Sequence, residues 1–400
     1  MTDIFILAAK RSAIGSYGGS LKDTAPIDLA IPVAQAAIEQ SGLPVTAIDH
    51  AVYGHVMHTE PRDMYSPRCI SIGAGLADTA PAFQVNRLCG SGLQAIVSGI
   101  QLIQLGDAAA VLAGGVEVMS RGPYILPAQR WGARMGDSGV IDMMLGALHD
   151  PFGIGHMGIT AENVAQDYDI SRASMDEFAA ASQARASAAQ SAGYFKDQIV
   201  PLTLKKGRKD FKFDNDEFIR GETTVESLAN LRPAFAKDGL VTAGNSSGIN
   251  DGTASIVLAD SDSITNHNAV PLARIVSYGY GGVPSRIMGM GPVPASKMAL
   301  ERAGLTTDDL AVVESNEAFA AQACAVSNQL GLDPSIVNPN GGAIALGHPV
   351  GATGAIIMTK LVHELRRRSE RYGMATMCIG GGQGISCLLY TSDAADDRIC

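Results

Sequence analysis

The sequence lacks the patterns that would make its cysteines structural. Six of them, Cys69, Cys89, Cys324, Cys378, Cys387 and Cys400, are scattered through 400 residues. They form no C-x-x-C pair and no His/Cys set at zinc spacing, so no metal site is indicated and free thiols in a reducing compartment are expected. Charged residues are sparse at 18%, and hydrophobic residues make up 46%, a balance that excludes a disordered chain. An excess of basic residues is missing too: the net charge of -10 disfavours nonspecific binding to nucleic acid or an anionic membrane. No apolar run near the ~18 residues of a membrane span is expected. The first residues, "MTDIFILAAKRS", put an acid before the apolar run and carry no cationic leader. A soluble, cytoplasmic protein is the expectation.

Glycine is abundant, at 45 residues. That suits an α/β body with many tight strand-to-helix turns, and the length allows two or three domains. Two stretches match: "EQSGLPVTAIDHAVYGH" (39–55) and "ERAGLTTDDLAVVESNE" (301–317). Each ends a helical pattern on a glycine, passes an acidic turn and enters an apolar strand. Cys89 follows Gly42 by 47 residues, and His348 follows Gly304 by 44. This spacing predicts an internal duplication of a βαβ-type half, with Cys89 and His348 at equivalent places near a pseudo-twofold axis. Residues 1–119 with 247–270 form the first half, and 271–390 the second. Residues 120–246 read as an insertion too long for a loop, with a helix from its Ser171 cap to its Gly193 stop. The final "TSDAADDRIC" has no apolar periodicity and resembles translated sequencing-adapter read-through. The native last strand is therefore expected to be replaced from about residue 388, with 391–400 a non-native tail and a sheet edge left open.

Four residues at strand ends can carry chemistry. Cys89, in "NRLCGSGLQA", is either a buried structural thiol or a nucleophile whose pKa is lowered by unpaired N–H groups at a helix start. His348, in "GHPVGATGA", either packs in a turn or exchanges a proton with a thiol. Cys378, in "CIGGGQG", is a strand core residue or a second acid–base thiol. Asn316, in "NEAFAAQ", caps a helix or holds a water against a developing oxyanion. Two thiols, an imidazole and an amide suit acyl transfer onto Cys89 followed by proton abstraction from a carbon acid.

These four blocks, in this order, resemble those of the thiolase family over residues 1 to about 387. "EPRDMY", "RWGARMGD" and "DMMLGALHDPF" are more particularly similar to the broad-specificity β-ketothiolases of bacterial polyhydroxyalkanoate synthesis. The resemblance implies two five-stranded βαβαβ-type halves in a layered α-β-α-β-α sandwich, an inserted loop domain and a homotetramer. Cys89 would be acylated and His348 would activate it. Cys378 would move the α-proton of acetyl-CoA, and Asn316 would hold a water that, with His348, binds the enolate oxygen. The N–H groups of Cys89 and Gly380 would form the other oxyanion hole. Leu148, His156, Arg220 and Ser247 would line the coenzyme A site, and Met157 and Met288 would flank the acyl group. No cofactor is implied beyond the coenzyme A thioester substrates. Ser246, where the family often has alanine, is a departure. The charged stretch Lys205 to Lys212 reads as a solvated loop or as an attractor for coenzyme A phosphates. A decarboxylating ketoacyl synthase typically has histidine where this chain has Cys378; a non-catalytic acyl-CoA carrier would not need all four residues. A cysteine hydrolase is a third alternative.

Overall fold

A computed structural model describes residues 2–392. The first half runs β1 (Ile4–Arg11), α1 (Pro26–Ser41), β2 (His50–Gly54), α2 (Ser66–Gly73), β3 (Ala82–Val85), α3 (Ser91–Leu105) and β4 (Ala110–Val118). It is completed, after the insertion, by β5 (Asn250–Asp260). The second half runs β6 (Ala273–Gly282), then helices Pro292–Ala303, Ala320–Leu330 and Thr353–Arg368 around β7 (Val312–Ser315), and ends with β8 (Tyr372–Ile379) and β9 (Gln383–Tyr390). The continuous apolar runs in β4 and β5 match strands buried on both faces: all nine residues of β4 are buried.

Both halves use one strand order. In the first, β1–β5–β4–β2–β3, the first two pairings are antiparallel and the last two parallel. In the second, β6–β9–β8–β7, two antiparallel pairings precede a parallel one, and a single parallel bridge from Val313 to Val337 stands where the fifth strand would be. The expected second five-stranded sheet is thus four strands and a bridge. Two residue pairs between β1 and β6, Phe5 with Arg274 and Ile6 with Ala273, join the halves into one ten-stranded sheet, which also includes the short strand Gly15–Ser16. The helices following Cys89 and His348 pack on each other and touch strands of both halves, while α1 and the Pro292–Ala303 helix cover the outer faces. The layering is therefore α-β-α-β-α.

The repeat extends to the caps. Gly42 and Gly304 both end their helices in the left-handed region, at φ 71° and 65°. The helices Ser91–Leu105 and Thr353–Arg368 begin equally far beyond those glycines, but Cys89 lies two residues before its helix and His348 five before its own. The two are therefore offset by three residues rather than strictly equivalent.

The insertion carries two long helices, α4 (Met157–Asp167) and α5 (Arg172–Ala192), and two five-residue ones, Met143–Ala147 and Val225–Ala229. Helix α5 is capped by Ser171 Oγ accepting from Ser174 N–H and ends at Gly193 with φ 77°. The charged stretch is a hairpin, Leu202–Lys206 paired with Lys209–Phe213, rather than a loop. With these labels the second-half helices become α6 (Pro292–Ala303), α7 (Ala320–Leu330) and α8 (Thr353–Arg368).

Two expectations are corrected. β9 continues through Tyr390, pairs with β6 on one side and β8 on the other, and Thr391 N–H donates to Arg371 O. No strand is lost from residue 388, and the sheet edge feared there is filled; the rest of the tail, with Cys400, lies outside the described residues. The window Leu88–Leu105, at mean hydropathy 1.3 over 18 residues, is long and apolar enough to cross a membrane, where none was expected. It contains α3, whose apolar side chains fill the central layer between the two sheets.

Candidate functional site

Cys89 sits in a tight turn between β3 and α3. Leu88 adopts φ 46°, a left-handed conformation that costs a non-glycine residue about 1–3 kcal/mol. Local bonds hold it there. Asn86 Oδ1 accepts from Leu88 N–H, Ser91 Oγ accepts from Arg87 N–H, and the Ser91 hydroxyl donates to Leu88 O. The His348 turn is brought alongside by two glycines. A Cβ on Gly92 would lie 2.8 Å from Ala355 N, and one on Gly354 would lie 2.2 Å from Leu93 N. The first turns of α3 and α8 therefore touch backbone to backbone, which only glycine permits.

His348 is buried, and its orientation is set by partners on both sides. Its backbone N–H donates to Asn250 Oδ1 at 3.0 Å, which fixes the main chain of the turn. The Thr353 hydroxyl donates its one hydrogen to Pro349 O at 2.8 Å, so its oxygen is the acceptor for His348 Nδ1–H at 2.6 Å. The neutral ring is thereby held as the Nδ1–H tautomer, with the lone pair on Nε2. Asn316 Nδ2 lies 3.5 Å from that nitrogen. Burial pushes the imidazole pKa down to about 4, so the ring is an unprotonated base at neutral pH.

The Cys89 thiol is pushed up to about 11, mainly by burial. The N–H groups of Gly380 and of Cys89 itself act on the sulfur in the opposite direction, and the Glu117 carboxyl adds to the rise. A thiolate stabilised by the helix start, as the sequence suggested, is therefore not the resting state. Desolvation outweighs two N–H groups, and both the Cys89 thiol and the His348 imidazole rest uncharged. The resemblance implies that the same two N–H groups form an oxyanion hole. Cys378, at the end of β8, is also raised, first by burial and then by the charge of Cys89.

With His348 as the base that the resemblance implies, the pH dependence of acyl transfer to Cys89 follows from its burial: the neutral imidazole persists down to about pH 4. Pre-steady-state acyl transfer at pH 5.5 should therefore stay within about twofold of its rate at pH 7.5, whereas an imidazole at its ordinary pKa would lose about tenfold. A tenfold fall would show that the general base titrates as an ordinary histidine.

Other sequence candidates fall around this centre to different degrees. Met157 is buried, and its Cε would lie 3.2 Å from a Cβ on Gly380. Met288 and Cys378 share its apolar cluster. Met157 N–H donates to Leu148 O, which ties Leu148 to the same edge. His156 Nδ1 accepts from Gly158 N–H, leaving its hydrogen on Nε2, and the ring stacks on Phe235 at 4.7 Å. Phe235 in turn meets Phe319 edge-on. Ser247 N–H donates to Ala318 O, beside that ring and two residues beyond Asn316. Arg220 is exposed, with its guanidinium over the Phe218 ring. The Ser246 hydroxyl donates to Thr242 O, so this departure adds a local bond.

Sequence reading missed the groups that hold the His348 segment. Glu117 Oε2 accepts from Gly351 N–H, and both its oxygens bind the backbone after β2, at Val56 and Met57. Glu317 accepts from Ile344 N–H, Asn338 Nδ2 and the Ser182 hydroxyl. The segment is thus anchored by a buried carboxyl at each end. Thr353 was also missed, although a hydroxyl at the first position of the helix after His348 was a readable signal.

A cysteine within reach of two converging N–H groups, a neutral imidazole paired with an amide, and a second thiol at a strand end define an acyl-transfer enzyme of the layered α/β kind. Among the described residues no group of three His, Cys, Asp or Glu side chains is placed to hold a metal ion. The family models for the thiolase N-terminal and C-terminal domains match residues 4–262 and 269–391. The chain is 56% identical to the β-ketothiolase BktB of Cupriavidus necator over 387 residues, covering 96% of this chain and 98% of that one. It is 47% identical to an acetyl-CoA acetyltransferase of the same organism, again covering 96% and 98%. Among solved structures, human mitochondrial 3-ketoacyl-CoA thiolase superposes with a TM-score of 0.96 at 44% identity, covering 98% of this chain and 99% of that one. A structure described as that human enzyme in complex with CoA gives 0.95 at 44% identity, covering 98% of each chain. The chain belongs to the thiolase family, and it is an acyltransferase.

Proposed function

We propose that the protein is an acetyl-CoA C-acyltransferase that makes and thiolyses short-chain 3-ketoacyl-CoA by ping-pong transfer through an acyl-Cys89. The observation that carries this reading is the convergence of the Cys89 and Gly380 N–H groups on the Cys89 sulfur, with Cys378 two residues before Gly380. In thiolysis the Cys89 proton passes to His348 Nε2 as the sulfur attacks the keto carbon. Collapse breaks the carbon–carbon bond, and the acetyl-CoA enolate oxygen is held by protonated His348 and a water on Asn316. Cys378 then protonates the enolate carbon. The Cys378 thiolate then recovers its proton from His348; the neutral imidazole takes the proton of incoming coenzyme A, which attacks the acyl group, and returns it to the departing Cys89 sulfur. Every proton is accounted for without a cofactor; coenzyme A thioesters enter only as substrates.

In this reading Leu148, His156, Arg220 and Ser247 contact coenzyme A, and Met157 and Met288 wall the acyl pocket. The insertion 120–246 covers coenzyme A and joins subunits in a homotetramer. Its exposed apolar side chains, led by Trp131 at 91% and Met135 at 97%, are the kind of surface a subunit contact covers. The protein works in the cytoplasm on acetyl-CoA and acyl-CoA, with neither nucleic acid nor membrane as a partner. The test is coenzyme A-dependent thiolysis of acetoacetyl-CoA and 3-ketovaleryl-CoA side by side, with Cys89→Ser as control. Comparable rates are expected on both. Loss of the longer substrate would narrow the reading to an acetoacetyl-CoA thiolase, and turnover without coenzyme A would overturn it in favour of a hydrolase.

A further inference from the structure

Behind Asn316 the core holds an ion pair with no part in the steps above. Lys360, on α8, is 3% exposed, and its Nζ donates at 2.6 Å both to Glu314 Oε2 and to Gly341 O. A fully buried pair of this kind costs desolvation and seldom adds net stability. Its position gives it another use.

Glu314 and Asn316 are two apart along β7, and Asn316 N–H continues the ladder by donating to Thr376 O. Their side chains therefore leave the same face of the strand. Thr353 and Lys360, two turns apart on α8, likewise share a face. All four line one interior cavity, about 10 Å³ as seen by the centre of a water molecule, which is room for a single water. Three of the lining residues have a fully buried oxygen without a partner, Glu314 Oε1, Ser315 Oγ and Asn316 Oδ1, and the first and last of these leave the same face of the strand. Lys360 uses two of its three ammonium hydrogens on the acceptors named.

We propose that Glu314 and Lys360 are positioning residues for Asn316, acting through one water in this cavity. The water donates to Asn316 Oδ1 and Glu314 Oε1 and accepts the third hydrogen of Lys360. Glu314 Oε1 and Asn316 Oδ1 then each have a donor. The amide is held with Oδ1 toward the cavity and Nδ2 toward His348. A ring closes around the site: Thr353 to His348, His348 to Asn316, Asn316 through the water to Glu314, Glu314 to Lys360, and back along α8 to Thr353.

This inference rests on the reading of Asn316 as a group that serves the enolate and not the acylation of Cys89. The test measures two rates separately: acetyl transfer from acetyl-CoA to Cys89, and condensation of two acetyl-CoA molecules. Glu314→Gln keeps the side-chain shape and Lys360→Met removes the ammonium. Each is expected to slow condensation about tenfold or more while acetyl transfer stays within about twofold. If Lys360→Met does not fold, Glu314→Gln decides. Asn316→Ala is the control. Should it fail to separate the two rates, the reading of Asn316 falls, and the inference with it. Should it separate them while Glu314→Gln slows both rates equally or neither, the inference alone is overturned.

Discussion

Cys378→Ala is expected to leave a protein that takes an acetyl group from acetyl-CoA onto Cys89 at a nearly unchanged rate, yet makes and breaks carbon–carbon bonds about 1,000-fold more slowly. The separation follows from what each thiol touches. The groups acting on Cys89 are the Cys89 and Gly380 N–H groups and the Glu117 carboxyl, none of which needs the Cys378 sulfur. Cys378 is raised by burial and by the charge of Cys89. Cys89 at rest is a neutral thiol, so burial is what keeps Cys378 protonated, and in thiolysis a thiol that keeps its proton is the acid the enolate needs. The measurement is the burst of coenzyme A released from acetyl-CoA, followed by steady-state condensation. Condensation at the wild-type rate in Cys378→Ala would remove Cys378 from proton transfer; loss of the burst would place it in acylation.

The parts of this site that were legible in the sequence are those where a backbone demand and a chemical group share one short block. Gly42 and Gly304 mark left-handed helix ends whatever surrounds them, so the repeat showed through unrelated side chains. Cys89, His348, Cys378 and Asn316 each stand where a strand or turn meets glycine or a helix start; Asn316 Nδ2 lies 3.5 Å from His348 Nε2, and Cys378 is near enough to Cys89 to feel its charge. What could not be read was the outcome of competition. A helix start favours a thiolate and burial opposes it; burial wins at Cys89, and only the packed structure shows how dry the sulfur is. The fifth strand of the second half dwindles to a single bridge at Val337. Glu117 reaches Gly351 across 234 residues of chain, and Glu314 faces Lys360 across 46; no local pattern announces such pairs. The tail misled in the other direction: "CLLY" is adequate strand sequence, and the non-periodic segment starts only after it.

The second large effect belongs to His348. Replacing it with asparagine keeps a polar side chain in the turn but removes the only base that accepts the Cys89 proton, so both half-reactions should fall by at least about 1,000-fold, unlike the split at Cys378. Thr353→Val isolates the orientation of the ring from its presence. The isosteric valine cannot accept from Nδ1, and the neutral imidazole is then free to take the other tautomer, with its hydrogen on the nitrogen that faces Asn316. The molecules in that tautomer cannot accept the thiol proton. A loss of about tenfold in both half-reactions is expected, with KM unchanged, because losing one buried hydrogen bond shifts such a balance by roughly 1.4 kcal/mol. Thr353→Ser should restore the rate, since its hydroxyl can donate to Pro349 O and accept from the ring as threonine does. Equal damage from valine and serine would mean that the methyl group of Thr353, packed against the turn, matters more than the tautomer. Full activity in Thr353→Val would mean that the Asn316 amide facing Nε2 sets the tautomer without the Thr353 hydroxyl. The graded series asparagine, valine, serine thus measures how much of the catalytic power lies in having the base and how much in having it face the right way.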